Sequence, residues 1–377
     1  MERQFNTSYM AEVYRQAQDQ GGLFNAHLHI DRAETLHATW DMMRDRGTGG
    51  ESSLAIAQKH ALIPTIHNSD CYDPQALEDR VQACVARMAD LGTRHAHSVV
   101  DVTPDRVGTT AMERLLTIAD RLQDRIDFQV GAYSPFGFPQ DDDTGWKLIE
   151  KAAGKADFLG SLPERDDQVV YPDHIGFEAS CRRILSLASE LGKDLHIHVD
   201  QKNHDREDHT EQVIRIVRNE GFVHQGEVPR IWLIHVISPS AYDEARFEAM
   251  GQALAELNIG VICCPSAAIS MRQLRPLAAP THNSIARVLE LLVAGVHVRL
   301  GTDNVCDITS PAGTLDVMDE IFVLSNAVRY YDPEVMGSLA AGRRVSRAAR
   351  ARIAAHLEED ARQCTLAQQE YAARSPE

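Results

Sequence analysis

The 377-residue sequence contains no run of ~18 apolar residues, so no membrane-spanning helix is expected. Its start, Met1 to Tyr14, is polar and mixed in charge. It lacks the apolar centre of a secretory signal. A cysteine framework is also missing. The seven cysteines are odd in number, and Cys71, Cys84, Cys181, Cys306 and Cys364 share no spacing. Cys263 and Cys264 are adjacent, and neighbours rarely bridge each other. Such usage fits reduced thiols in the cytoplasm and excludes a disulfide scaffold. Positive charge is short as well: 38 Lys+Arg against 55 Asp+Glu leaves −17. That sign repels phosphate backbones, so no nucleic acid and no membrane is expected as a partner. Low-complexity segments and sequence repeats are absent. The 44% hydrophobic and 25% charged residues are ordinary globular composition, which excludes disordered, collagenous and fibrous chains.

What the sequence does contain is a repeating type of unit. Short apolar or alternating runs at 23–30, 94–102, 126–133, 157–162, 194–199, 230–236, 259–264 and 296–301 read as strands. Helical periodicity fills the gaps, for example at 111–122, 176–191, 211–220, 242–257 and 284–294. This alternation predicts an α/β fold, a (β/α)8 TIM-type barrel, with a doubly wound open sheet as the competitor. Barrels of this kind exceed the usual domain size, so residues 1–377 read as a single domain. Residues 1–21 form an N-terminal extension, 22–318 the barrel core and 319–377 extra C-terminal helices, broken around 331–333. The long stretch 34–88 should hold two helices and a loop around 63–72 that overhangs the site.

The 17 histidines matter by placement, not number. His27 and His29 end the first strand, and residues i and i+2 of a strand share a face. His198 ends the fifth strand, His235 the sixth, and Asp303 follows the eighth. Barrel enzymes put their chemistry at these C-terminal strand ends. A lone strand histidine is more often core or surface than ligand. Together, His27, His29, His198 and Asp303 make a nitrogen-and-carboxylate set for a divalent metal, with Zn²⁺ leading and Fe²⁺ or Mn²⁺ as alternatives. His196 faces the same way as His198 one layer deeper and reads as core or an outer support. His95 and His97 repeat the i, i+2 pattern without further support. His37, His60, His204, His209, His224 and His356 read as surface. The pair Cys263–Cys264 is poor ligand geometry.

These residues carry a resemblance. The stretches Asn25-Ala26-His27-Leu28-His29-Ile30-Asp31-Arg32, His196-Ile197-His198-Val199-Asp200-Gln201, Ile234-His235 and Gly301-Thr302-Asp303-Asn304-Val305 are similar to the metal-dependent amidohydrolase superfamily. The likeness covers roughly residues 22–318 and is greatest to the cytosine deaminase and N-isopropylammelide aminohydrolase branch. It implies that His27, His29 and His198 bind one metal ion, and that Asp303 binds it and acts as base. His235 would polarise the substrate or stabilise the oxyanion. Many dinuclear members carry a Lys at the end of strand four; here that end reads Gly160-Ser161-Leu162-Pro163-Glu164, which favours one ion.

Three departures stand out. Cytosine deaminases of this branch carry a Glu as proton shuttle three residues after the strand-five His; here it is Gln201, a neutral amide that cannot shuttle a proton. Their pyrimidine-reading Gln falls near Ser134 and Pro135. The superfamily's small β-sandwich has no room, since His27 comes early and the C-terminus is helical.

The expected function is therefore metal-dependent hydrolysis, as an aminohydrolase (deaminase) acting on a C–N bond of a small nitrogen heterocycle. Hydrolysis of a lactam, cyclic amide or N-alkylamino group, or a non-catalytic ligand-binding barrel, are the alternatives. A homo-oligomer is compatible with the acidic surface and terminal helices. Gln201, Arg32, Asn304 and Tyr133 are the expected substrate contacts. Arg32 could instead pair with Asp31 or Glu34. Asp307 contacts substrate or caps the next helix. Asp31 and Asp200 either orient the imidazoles or are solvated loop acids. Tyr133, Phe136 and Phe138 form an aromatic wall or pack in the core. Asn283, beside His282, reads as the cap of the seventh helix.

Overall fold

Eight parallel strands pair in chain order in one sheet. The computed structural model describes residues 3–39, 59–270 and 285–374. The strands are β1 Leu23–Leu28, β2 Thr93–Asp101, β3 Asp127–Tyr133, β4 Phe158–Ser161, β5 Leu195–Val199, β6 Ile231–His235, β7 Gly260–Cys263 and β8 Val298–Leu300. Each lies at an expected run. Just past β8 the sheet closes on itself: Asp303 N–H donates to the His27 carbonyl at 3.0 Å, and His29 N–H donates to the Asp303 carbonyl at 3.2 Å. Gly301 makes this seam possible, because a Cβ there would lie 2.5 Å from the His27 carbonyl oxygen. Closure and sequential order exclude the open doubly wound sheet. Every strand among the described residues belongs to this sheet, so no small β-sandwich accompanies the barrel.

Alternation along the strands sorts the core into two layers. Leu195, Ile197 and Val199 of β5, and Ile231 and Leu233 of β6, join the main core beneath the helices. Trp232 and Ile234 turn the other way and join Phe24, Ala26 and Ile262 inside the barrel. The buried Arg299 guanidinium lies 4.0 Å from the centre of the Trp232 ring and 4.7 Å from that of Phe24. His196, in the same inner layer, is buried and packs 4.5 Å from the Phe158 ring. A buried Phe158 contributes roughly 1.5–3 kcal/mol by leaving water.

The helices mostly follow the expected periodicity, with differences at their ends. The helix expected over 242–257 runs Glu244–Glu256, because Asp243 caps it by accepting from Arg246 N–H at 2.8 Å. The helix expected over 284–294 starts only at Val288. His282 and Asn283, the expected cap, lie outside the described residues. The expected loop around 63–72 is instead a short helix, Ile63–His67, and a 3-10 turn, Asp70–Tyr72. After β8 come helices Val317–Ala327, Pro333–Ala340 and the 28-residue Arg347–Arg374. The expected break at 331–333 falls between the first two, where Asp332 caps the second by accepting from Glu334 N–H at 3.0 Å. The N-terminal helix Ser8–Asp19 packs on Pro333–Ala340, and the last helix, Arg347–Arg374, packs on Val288–Ala294. No helix among the described residues is long and apolar enough to cross a membrane.

Candidate metal centre

The first strand delivers two imidazoles to one spot. Its pairing with β2 shifts register between Asn25 and Leu28, an irregularity that re-aims side chains at a strand end. β5 continues its alternation to His198. On β6, however, Ile234 already faces inward, so His235 should face out. A left-handed backbone at His235 (φ 76) and Val236 (φ 50) turns it to the site instead. Asp303, past β8, is also left-handed (φ 58). Asp200 (φ 58) is left-handed as well and reverses the alternation after β5. Its carboxylate then accepts from His209 and Thr210 N–H at 2.9 and 3.0 Å, while Gln201 enters the pocket.

The geometry is tight. His27 Nε2 and His198 Nε2 lie 3.0 Å apart. His198 Nδ1–H donates to the Ser161 carbonyl at 3.0 Å, which leaves a bare lone pair on its Nε2. His29 Nε2 is 3.3 Å from Asp303 Oδ1, and His235 Nε2 is 3.7 Å from Asp303 Oδ2. All five residues are at most 3% exposed. Burial, reinforced by neighbouring imidazoles, holds His27 and His198 well below the usual histidine range. Burial also lowers His235, against the pull of Asp303. For Asp303 burial works upward, but the bond from His29 and the charge interaction with His235 outweigh it and keep the carboxyl below its usual range. Neutral rings around an ionised carboxylate are the donor set of a divalent transition metal. The three ring nitrogens of His27, His29 and His198 lie within 4.8 Å of one another, as do donor atoms of His235, Cys264 and Asp303. The residues present thus fit a metal. Cys264 reaches the site singly, because its neighbour Cys263 belongs to the outer core.

The four expected substrate contacts, Arg32, Tyr133, Gln201 and Asn304, all line the pocket above this centre. Each is also braced. Asn304 Nδ2 donates to Asp303 Oδ1 at 3.1 Å, and the Tyr133 ring lies 5.4 Å from His29 and 5.2 Å from His198. Arg32 pairs neither with Asp31 nor with Glu34. Its Nε and a terminal nitrogen donate to Asp101 at 2.7 and 2.5 Å.

Other expectations need correction. Asp31 and Asp200 do not orient the imidazoles and are not solvated. Both are fully buried and spent on other partners: Asp200 holds the first N–H groups of the helix His209–Glu220, and Asp31 accepts from Asp101 N–H at the end of β2 at 3.0 Å and from the Tyr72 hydroxyl at 2.9 Å. Asp307 caps no helix; it accepts from Thr309 and Ser310 N–H at 2.8 Å within its own loop. Phe136 and Phe138 leave the wall to Tyr133, packing near His67 and Trp146 at 5.7 and 5.3 Å. His60 is not a surface residue: it lines the pocket, and burial pushes its pKa down to about 3. His209 is also buried, stacked at 4.3 Å on Phe177, with Nδ1 3.1 Å from Glu164. His95 stays half-exposed, 3.0 Å from Asp127.

Sequence reasoning missed Lys59, Glu164, Asp101 and His67, since nothing in local spacing marks them. Lys59 Nζ donates to the Thr309 carbonyl at 3.0 Å at the pocket. His67 sits between two carboxylates, with Nε2 2.8 Å from Asp101 and Nδ1 2.6 Å from Asp105. Burial works against its charge, yet those carboxylates raise it to about 9. Such a group stabilises the fold fully below the unfolded pKa near ~6.5, and loses that contribution as pH rises through the folded value. The contribution is on the order of 3 kcal/mol. In urea unfolding at pH 6 and pH 10, the stability advantage of wild type over His67→Gln should shrink toward pH 10. A difference independent of pH would refute this ion-pair account.

No protein-family model matches the chain. A curated relative, an uncharacterised protein of Haemophilus influenzae, is 25% identical over 300 residues, spanning 77% of this chain and 96% of that one. Solved structures share the architecture. 5-Methylcytosine deaminase from Klebsiella pneumoniae, liganded with phosphonocytosine, has a TM-score of 0.71 at 20% identity, covering 85% of this chain and 73% of that one. N-isopropylammelide isopropylaminohydrolase from Burkholderia multivorans gives 0.63 at 19%, covering 85% and 72%. An atrazine chlorohydrolase from Arthrobacter aurescens, complexed with zinc, gives 0.57 at 14%, covering 85% and 71%. At these identities the likeness is one of fold: this chain has the (β/α)8 barrel that these structures of the amidohydrolase superfamily share.

Proposed function

We propose that the chain is a metal-dependent hydrolase that cleaves a C–N bond of a small nitrogen heterocycle, as an aminohydrolase. The observation that carries this is the convergence of the buried imidazoles of His27, His29 and His198 on the carboxylate of Asp303, with His235 beside the same carboxylate. His27, His29, His198 and Asp303 would hold the ion, Zn²⁺ first among the candidates. When bound, a divalent metal is a Lewis acid that brings the pKa of water from ~15.7 to roughly 7.

The chain's own groups do the rest. Asp303 is the proton acceptor beside the attacking water, since its second oxygen points toward His235 and the pocket. His235 faces the reacting carbon's heteroatom and stabilises negative charge developing there. Gln201 cannot move a proton, so transfer to the leaving amine falls to Asp303 and His235. Arg32, braced on Asp101, and Asn304, bonded to Asp303, orient the ring. The structures with this fold that are named as a 5-methylcytosine deaminase, an N-isopropylammelide isopropylaminohydrolase and an atrazine chlorohydrolase support a heterocycle as substrate class.

Elemental analysis of the purified chain, followed by an ammonia-release screen over aminated pyrimidines and triazines, tests the reading. The expected outcome is close to one Zn, Fe or Mn per chain and ammonia from at least one ring. A chain that takes up no metal on reconstitution is no hydrolase of this type.

A further inference from the structure

We propose that Glu164 locks the side-chain amide of Gln201 with its carbonyl oxygen toward the pocket, so that the substrate is a heterocycle presenting an N–H donor at that wall. The substrate class rests on the hydrolase reading; the amide orientation does not. Glu164 follows β4 in the turn Pro163–Asp166, and its carboxylate is 7% exposed. Three groups point at it. Asp200 N–H donates to Oε1 at 2.6 Å, His209 Nδ1 lies 3.1 Å from the same oxygen, and Gln201 Nε2 lies 3.2 Å from Oε2.

The polarity of this cluster is set by its members. A backbone N–H can only donate. His209 Nδ1 also lies 3.7 Å from Glu207 and 3.9 Å from Asp200, so that nitrogen faces acceptors on every side and carries a proton. Glu164 therefore acts as an acceptor, and Gln201 must turn its NH2 group toward it. The two arms of a carboxamide diverge from one carbon, so Oε1 points the other way. Gln201 lines the pocket beside His198 and His235, and its Oε1 has no hydrogen-bond partner among the described residues. An amide oxygen accepts and never donates. A ring offering only acceptors there would leave both partners unpaired, and such sites discriminate strongly against it. Arg32, a pure donor, lines the same pocket. A ring edge carrying N–H beside C=O, a lactam edge, satisfies both. The same contact accounts for Gln at position 201: a carboxylate there would face that of Glu164 at 3.2 Å.

Two measurements test this. The first is NMR of protein with ¹⁵N-labelled glutamine side chains, with Gln201 assigned by its loss in Gln201→Leu. Wild type should show one Gln201 carboxamide proton shifted downfield and protected from exchange, and Glu164→Gln should abolish both. A Gln201 amide exchanging at the rate of exposed glutamines in wild type overturns the lock, even if Glu164→Gln fails to fold. The second is calorimetric binding of uracil, with two ring N–H donors, and pyrimidine, the same ring with acceptor nitrogens only, to metal-loaded wild type. Uracil should bind about tenfold more tightly or better. Equal affinity, a preference for pyrimidine, or binding of neither at millimolar concentration overturns the substrate class. A chain without metal or hydrolysis would sink the hydrolase reading while leaving the NMR signature intact.

Discussion

Replacing His198 by Ala should leave the purified chain without bound metal and without turnover. His198 is the ring whose lone pair is committed: its Nδ1–H is spent on the Ser161 carbonyl, so Nε2 has no proton to offer His27 3.0 Å away. Alanine would remove a donor from the centre of the proposed ligand set. The loss of affinity should exceed the ~10–100-fold typical of outer partners, because a ligand itself is gone. The fold should survive, since the inner layer beneath it, with Phe158 and His196, is untouched. Metal content by elemental analysis and circular dichroism on the same sample check both halves. A folded, metal-loaded and fully active variant would sink the site assignment.

Asp303→Asn should separate the two roles given to that carboxylate. Asparagine keeps the shape and one oxygen, so the three imidazoles proposed as ligands would still hold the ion. It loses the charge that His29 and His235 approach at 3.3 and 3.7 Å, and with it the ability to take a proton. General-base catalysis is worth ~10²–10⁴-fold, so kcat should fall by at least that much while most of the metal stays bound. Steady-state rates normalised to metal content make the comparison. Near-normal kcat in the loaded variant would remove Asp303 as the base.

The barrel was legible in the sequence because eight short apolar runs alternate with helical periodicity, and both signals come from burial. The proposed ligands were visible for a related reason: His27 and His198 stand near the C-terminal ends of fully buried strands, and His29 lies just past the first of them. Legibility ends where the backbone leaves the regular regions. His235 lies on the wrong parity after Ile234, and a left-handed residue rescues it. Gln201 reaches the pocket only because Asp200 reverses the chain, and no hydropathy pattern encodes a positive φ at Asp or His. Long-range partners are equally silent. Glu164 marked only a missing Lys, yet it holds Gln201. His67 looked like a loop residue, yet it grips Asp101 behind Arg32.

Those left-handed residues constrain how this protein can change. Asp200, His235 and Asp303 each hold a backbone conformation that glycine would adopt without a Cβ penalty. Each costs the native state on the order of 1–3 kcal/mol. Glycine at such a position would relieve that cost. Here the relaxing substitution would delete a side chain that lines or braces the site. Lineages of this barrel under thermal pressure must therefore find their stability elsewhere, in the outer helices and the terminal helix pair. The mouth of the barrel should change slowest in backbone shape even where its loops diverge in sequence.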